Sequence, residues 1–199
     1  IFGLAVTGIV DVEKVKKNNG AQEGCKLFLT KPLGLGLVTT AEKFGVAREE
    51  DKAEALRLMT TLNHPGIALS SVEGVTAMTD VTGFGLMGHA AEMAEGSGVK
   101  IVVEFDKVPR IAGADFYIGQ ECIPGGTHRN FASYGHKISA MTEKQKALLC
   151  DPQTSGGLLI AVKPDSISKV SEIAKKENFP LFEIGYIEKG NGTLWVEIK

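Results

Sequence analysis

The chain has 199 residues, of which 43% are hydrophobic, and its 22 basic and 24 acidic side chains give a formal net charge of −2. This composition suits a packed core and excludes a chain that is disordered throughout. Because there is no basic excess and the apolar runs have only strand length, we expect neither a nucleic-acid partner nor an association with membranes.

Cysteine and glycine usage narrows the class further. The three cysteines, Cys25, Cys122 and Cys150, form no CxxC pair, which argues against disulfides and structural zinc and favours a reducing cytoplasm. Glycine is frequent: 24 of the 199 residues, or about 12%, are glycine, compared with about 7% in typical domains. The glycines cluster at particular turns, which indicates positive-φ backbone or close approach to a ligand.

The N-terminal elements begin with an alternating, β-rich stretch that predicts a strand over Ile1–Val10. A chain that opens inside such a stretch, without Met, is expected to be a piece of a longer protein, with a trimmed terminus as the alternative. Residues 11–24 are polar and turn-rich, and we expect a connector at a domain boundary. A strand is predicted at Cys25–Thr30, followed by a short helix before Gly45.

Three helices are predicted in the next part of the chain. The first spans Glu49–Leu62, a second short one follows Pro65, and the third follows Asp80 and ends at the glycines of residues 96–98. The expected apolar face of the first comprises Ala53, Leu56, Met59 and Leu62, and that of the third comprises Phe84, Met87, Ala91 and Ala94.

The C-terminal half alternates strands and helices. The predicted elements are a strand at Val99–Phe105, an irregular segment over 106–135, a helix over 142–150, a strand at Leu158–Val162, a helix over Asp165–Asn178, and two closing strands that a "GNG" turn joins as a hairpin. About six strands mixed with helices predict an α+β or α/β fold, with no internal repeat.

One carboxylate lies just before a glycine-rich turn. Asp80 lies between two threonines and precedes glycines at 83, 85 and 88. Mg²⁺ prefers carboxylate, phosphate and water oxygens, and helix N-termini favour phosphate. Asp80 is therefore a candidate ligand of a Mg²⁺ shared with a nucleotide phosphate, although it could instead cap the following helix. The chain has no P-loop motif.

Two further glycine stretches carry polar side chains. In "PGGTHRN" at 124–130, two glycines let the backbone approach an anion, Arg129 suits phosphate or carboxylate, and Asn130 could bond a base or ribose. In "DPQTSGG" at 151–157, the Ser/Thr pair could contact phosphate. For each stretch the alternative is an ordinary glycine turn.

The histidines and Cys150 are not assigned to chemistry. The four histidines form no HxH or HxxxH pair, so none is expected to be catalytic or to build a metal site. Cys150 has no neighbouring base, and we expect a buried structural thiol.

Three stretches resemble a known family. "MTDVTGFGLMGH" at 78–89, "PGGTHRNFASYG" at 124–135 and "LLCDPQTSGGLL" at 148–159 are similar to signature stretches in the C-terminal half of the selenophosphate synthetases, also called selenide, water dikinases. "IFGLAVTGIV" and "NNGAQEGCKLFLTKPLGLG" also resemble this family, so the resemblance covers essentially the whole chain in the family's order.

The resemblance implies a fold and a reaction. Residues 21–199 would form an α+β domain of the aminoimidazole ribonucleotide synthetase type, with a mixed sheet packed with helices, and residues 1–20 would end a dimerising N-terminal domain. ATP, selenide and water would become selenophosphate, AMP and phosphate in a cytoplasmic homodimer. Asp80 matches the aspartate that joins aspartates of the N-terminal domain around Mg²⁺ and the ATP phosphates. The expected ATP-binding residues are Thr82, Gly83, Gly125, Gly126, Arg129 and Asn130.

The family's catalytic residues have no match in this chain. Its glycine-flanked Cys or selenocysteine and a nearby lysine are absent, and Cys25 matches a non-catalytic position. The chain alone is therefore expected to be inactive. The rival interpretations are another ATP enzyme of the same superfamily, from purine or thiamine synthesis, and a non-catalytic module that binds a nucleotide or a partner protein.

Overall fold

The computed structural model describes residue 3 and residues 5–199, and its centre is a mixed sheet. The strands are β1 (Lys26–Leu29), β2 (Val75–Asp80), β3 (Val99–Val103), β4 (Leu158–Val162), β5 (Phe182–Lys189) and β6 (Val196–Ile198). Their order is β2–β4–β1–β5–β3–β6, and every pair is antiparallel except β3–β6. The predicted α+β class with a mixed sheet is confirmed.

Helices cover both faces of this sheet. They are α1 (Leu35–Lys43), α2 (Glu49–Thr60), α3 (Pro65–Ser70), α4 (Gly85–Ser97), α5 (Ala114–Gly119), α6 (Gly125–Tyr134), α7 (Glu143–Leu149) and α8 (Ile167–Lys176). Within the described ranges, none of these helices combines the length and the apolar character that a bilayer crossing requires.

The interior strand β4, which lies between β2 and β1, shows that the sheet separates two hydrophobic cores. All five of its side chains are buried, and alternate residues point to opposite faces. Leu159 and Ala161 join the larger core with α1, α2, α4, α5 and α7, whereas Ile160 and Val162 join a smaller core with α3 and α8. The sheet is therefore buried on both sides at β4.

The predicted N-terminal strand is not observed where the structure describes it. Residues 3 and 5–10 belong to no strand, and Val6 and Ile9 are 93% and 103% exposed. Residues 1, 2 and 4 lie outside the described residues. The alternating pattern favours an extended backbone, but a strand also needs a neighbour that accepts its hydrogen bonds, and the described chain supplies none there.

Two further predictions about the C-terminal half were wrong. The segment 106–135 is not irregular, since it contains α5 and α6. The closing strands do not form a hairpin, because β3 lies between β5 and β6 and pairs with both. Strand β2 was not predicted at all, and it leads directly to Asp80.

The predicted apolar faces of two helices were also wrong in part. In α2, Leu56 is 60% exposed, and the buried residues are Asp51, Ala55 and Leu58. Asp51 sets this orientation, because its carboxylate accepts a 2.6 Å hydrogen bond from the Tyr117 hydroxyl in the core. In α4, Met87, Ala91 and Ala94 are buried as predicted, but Phe84 precedes the helix and is exposed.

Helix α1 obtains its N-terminal cap from a distant loop. Gly34, the N-cap residue, has a φ of +116° and no side chain, and Asp151 supplies the capping carboxylate instead. Its Oδ2 accepts hydrogen bonds from the Gly36 N–H at 2.9 Å and from the Gln153 amide at 2.6 Å. Burial raises the pKa of the Asp151 carboxyl to about 7, and hydrogen bonds from Gln153, Gly36 and Leu37 lower it in part.

The Asp151 pKa predicts a dependence of stability on pH. The folded pKa of about 7 lies above the usual unfolded value of about 3.9, so in this window the folded state binds more protons than the unfolded state. The free energy of unfolding should therefore fall as pH rises from 4 to 8. Urea denaturation should show a fall about 1 to 3 kcal/mol larger for the wild type than for Asp151→Asn, which retains the acceptor for Gly36. Parallel pH profiles for the two proteins would contradict this assignment.

Gly85 and Gly83 offer a matched test of the turn before α4. Gly85 has a φ of +69°, and a Cβ there would lie 2.8 Å from the Cys150 carbonyl carbon, whereas a Cβ on Gly83 would meet nothing within 4 Å. Gly85→Ala should cost about 2 to 4 kcal/mol of unfolding free energy, and Gly83→Ala less than about 1 kcal/mol. Equal costs in urea denaturation would show that the turn is not constrained as described.

Candidate functional site

Backbone hydrogen bonds join the first glycine stretch, the turn that follows Asp80, to the third, residues 151–157. The Val81 N–H donates to the Gly157 carbonyl at 2.8 Å, and the Gln153 N–H donates to the Thr82 carbonyl at 3.0 Å. A Cβ on Gly156 would lie 2.1 Å from the Val81 carbonyl oxygen, so only glycine allows this approach. We call the assembly of residues 81–85, 124–130 and 151–157 the glycine-loop cluster.

The second stretch joins the cluster through one buried amide. Asn130 donates from Nδ2 to the Gly83 carbonyl at 2.8 Å and to the Cys150 carbonyl at 3.0 Å. The Tyr134 hydroxyl adds a 2.6 Å bond to the Phe84 carbonyl. Asn130 therefore holds two loops together, which sequence reasoning did not predict. Its expected contact with a nucleotide stays a prediction.

Asp80 ends β2 at the edge of this cluster. It pairs with Leu158 of β4, its side chain is exposed, and its carboxylate has no hydrogen bond or ion pair with any described residue. Helix α4 begins five residues later at Gly85 and has no side-chain cap. Asp80 therefore does not cap this helix, and its carboxylate is available to a ligand.

Asp80 belongs to no cluster of three or more potential metal ligands in the described part of the chain. No group of three or more His, Cys, Asp or Glu side chains there is placed to hold a metal ion. A single exposed carboxylate fits one position in the coordination shell of Mg²⁺, which binds through one or two carboxylates with phosphate and water oxygens. The residues present thus fit a shared metal site and not a complete one.

Thr82 is fixed by a buried histidine. Its N–H donates to Nε2 of His89 at 3.0 Å, and its hydroxyl lies 3.2 Å from the same nitrogen. His89 is 8% exposed, and burial lowers its pKa, whereas the charges of Asp80 and Glu92 raise it. Sequence reasoning assigned His89 no role, and the only available signal was its place in the helix that follows the turn.

Gly125 and Gly126 begin helix α6, where the first N–H groups have no acceptor within the helix. A Cβ on Gly126 would lie 2.6 Å from Cγ of Pro152, so this glycine also allows the helix to pack on the third stretch. Gly125 is exposed, and a Cβ there would meet only the Arg129 guanidinium, at 3.3 Å. The helix N-terminus thus faces outward with a positive end.

Arg129 is exposed on α6, one turn after the two glycines. It forms no ion pair with the carboxylates that the structure describes. Its guanidinium and the N-terminal N–H groups of α6 are the groups in this stretch that suit an anion. Its contact with a phosphate stays a prediction.

The buried side chain of Lys31, which is 4% exposed, bonds to the backbone of the third stretch, residues 151–157. Its ammonium group donates to the Ser155 carbonyl at 2.7 Å and to carbonyls of Leu58 and Thr61 at 3.0 and 2.7 Å. Burial, and to a lesser extent Arg57, lowers the pKa of Lys31. Thr154 and Ser155 of this turn are exposed.

The cysteines are buried and are not placed for nucleophilic chemistry. Burial raises the pKa of Cys150 to about 11, so its thiol stays protonated near neutral pH. Cys25 is buried beside the Thr76 hydroxyl at 3.6 Å. The expectation that Cys150 is a buried structural thiol is confirmed.

Comparison with known proteins supports the resemblance. The chain is 55% identical over 200 residues to a selenide, water dikinase of Haemophilus influenzae (strain 86-028NP), and 58% identical over 200 residues to one of Photobacterium profundum. Both alignments cover 100% of this chain and 58% of the relative, so the chain spans less than two thirds of these proteins. The predicted resemblance is thereby confirmed.

Solved structures share the fold at low identity. A thiamine-monophosphate kinase from Stenotrophomonas maltophilia K279a aligns with a TM-score of 0.66 and 19% identity, over 96% of this chain and 54% of that one. The hydrogenase maturation protein HypE in complex with ATP aligns with a TM-score of 0.63 and 15% identity, over 95% and 51%. These likenesses establish the fold alone.

The family model covers almost the whole folded part of the chain. Residues 22–197 match the family described as AIR synthase related protein, C-terminal domain. The match includes β1 to β5, all but the last residue of β6, and the glycine-loop cluster. The chain therefore belongs to the AIR synthase-related family and carries the C-terminal domain of that family.

Proposed function

We propose that this chain is the part of a selenide, water dikinase that closes over the nucleotide. The complete enzyme would convert ATP, selenide and water into selenophosphate, AMP and phosphate. The observation that carries the proposal is the 55–58% identity, over the whole chain, to proteins named selenide, water dikinase. The exposed carboxylate of Asp80 at the edge of the glycine-loop cluster gives this proposal a chemical basis.

In the proposed site, Asp80 holds Mg²⁺ together with carboxylates from outside this chain. Phosphoryl transfer depends mainly on positioning and on neutralising phosphate charge, and bound Mg²⁺ would supply that neutralisation. Asp80 suits this role because β2 and β4 fix its backbone while its side chain remains exposed.

The ATP phosphates would lie against the cluster. Thr82 and Gly83 present a hydroxyl and an open backbone, and a side chain at Gly83 would meet nothing within 4 Å. Gly125 and Gly126 present the N-terminal N–H groups of α6, and Arg129 adds a cation on the same helix. Helix N-termini and arginine are the groups that commonly bind phosphate.

The remaining parts of the proposal concern the complete protein. The reacting Cys or selenocysteine and its lysine would come from a segment that this chain does not contain, as would the homodimer interface and the other metal ligands. We place the enzyme in the cytoplasm, in line with three free cysteines.

Asp80→Asn tests the metal site directly. Calorimetric titration of Mg-ATP, in the 199-residue chain and in the full-length enzyme, should give a Kd at least about tenfold weaker for the variant, because one anionic ligand is lost. Asp106→Asn is the control, since Asp106 is also exposed. With EDTA present, the affinity for metal-free ATP should not fall in Asp80→Asn. An unchanged Kd for Mg-ATP would refute the role of Asp80.

The isolated chain should not make selenophosphate. ATP, selenide and Mg²⁺ are incubated with the 199-residue chain or with the full-length enzyme, and products are followed by ³¹P NMR. We expect the selenophosphate signal only with the full-length enzyme, because the described part of the chain holds no complete metal site and no reacting thiol at the cluster. Selenophosphate formed by the isolated chain would contradict this, and none formed by the full-length enzyme would favour another ATP enzyme or a binding module.

A further inference from the structure

His89 is buried in a position that packing alone does not explain. Its Nε2 faces the Thr82 N–H at 3.0 Å, so this nitrogen accepts and carries no proton. The proton of the neutral ring then lies on Nδ1, which is buried and has no hydrogen-bond partner among the described residues. An unpaired buried donor typically costs about 1–3 kcal/mol. A side chain present only to fill the core would avoid this cost.

The hydrogen bond between Thr82 and His89 holds the residue that lies two positions after Asp80. Two hydrogen bonds hold the Thr82 backbone: its N–H donates to Nε2 of His89 at 3.0 Å, and its carbonyl accepts from the Gln153 N–H at 3.0 Å. The Phe84 ring packs edge-on against the imidazole, with centroids 6.3 Å apart. The direction of the chain at Thr82 therefore depends on an acceptor at the Nε2 position, in addition to the bonds that Val81 and Thr82 make with residues 153 and 157.

The Thr82 hydroxyl is oriented by the same nitrogen. It lies 3.2 Å from Nε2, close enough to share this acceptor with the backbone N–H. Its oxygen remains an acceptor and the residue is partly exposed. Nε2 of His89 thus orients both the backbone N–H and the hydroxyl of Thr82, which is the first partly exposed residue of the turn.

We infer that His89, as the neutral ring protonated on Nδ1, is a positioning residue that holds Thr82, and through it the Asp80 carboxylate, in the geometry that binds Mg-ATP. The inference rests on the proposed function for its ligand. It does not make His89 a catalytic residue, because the ring is buried behind the turn and touches the loop.

Two amide substitutions separate this role from packing. The amide of Gln reaches the Nε2 position, whereas the amide of Asn reaches only the Nδ1 position. In the full-length enzyme, His89→Gln should keep the Kd for Mg-ATP within about twofold, and His89→Asn should weaken it by at least about fivefold. His136→Gln, at an exposed histidine, is the control and should leave the Kd unchanged. Thermal unfolding of each variant shows whether the folded populations are comparable.

NMR provides a readout that does not depend on nucleotide. Long-range ¹H–¹⁵N spectra of the imidazole should show a bare Nε2 and a protonated Nδ1 for His89. Hydrogen exchange at the Thr82 amide should accelerate at least about tenfold in His89→Asn and remain slow in His89→Gln.

Each outcome decides the inference. A protonated Nε2, or equal Kd values for His89→Gln and His89→Asn, would overturn it, as would losses of affinity that only follow losses of thermal stability. If the full-length wild type shows the expected tautomer but binds no Mg-ATP, the proposed function fails, and the assignment of His89 to that site fails with it. The expected tautomer with rescue by Gln but not by Asn would support it.

Discussion

The antiparallel pairing of β2 with β4 is the constraint on which the site depends. It places Asp80 opposite Leu158, and the ladder continues beyond the strand as the bond from the Val81 N–H to the Gly157 carbonyl. The absence of a side chain at Gly156 permits this approach. Because β4 is buried on both faces, the pairing is rigid, and the loops that follow β2 and precede β4 are held against each other.

The general fold could be predicted from sequence because most elements carry strong local signals. The apolar run of β4 and the helical spacing of Met87 and Ala91 both indicate the correct elements. The predictions that failed concern contacts between residues that are distant in the sequence. The exposed face of Leu56 was mistaken for the buried one, since the buried hydrogen bond between Asp51 and Tyr117 connects residues 66 positions apart. Strand pairing likewise depends on distant partners, which is why β3 between β5 and β6 was missed.

Residue type indicates which chemical groups the candidate site offers, but not how the fold holds these groups in place. The carboxylate of Asp80 and the guanidinium of Arg129 are candidate ligand groups by residue type, and their contacts with metal and phosphate stay predictions. The roles of Asn130, His89 and Lys31 do not follow from residue type, because each acts on a backbone group in a segment that only the fold brings near. Buried polar side chains must find such partners, so they were the residues whose roles the sequence left open.

Paramagnetic NMR with Mn²⁺ in place of Mg²⁺ tests the central claim most directly, that the glycine-loop cluster is one metal-nucleotide surface with Asp80 as a ligand. Mn-ATP is added to the isotope-labelled chain, and broadening of each backbone amide is measured. The account predicts the strongest broadening at Asp80, Thr82 and Gly83, with clear broadening at Gly125 and Gly126. Broadening that is uniform, or that is centred on another surface such as α8, would contradict it.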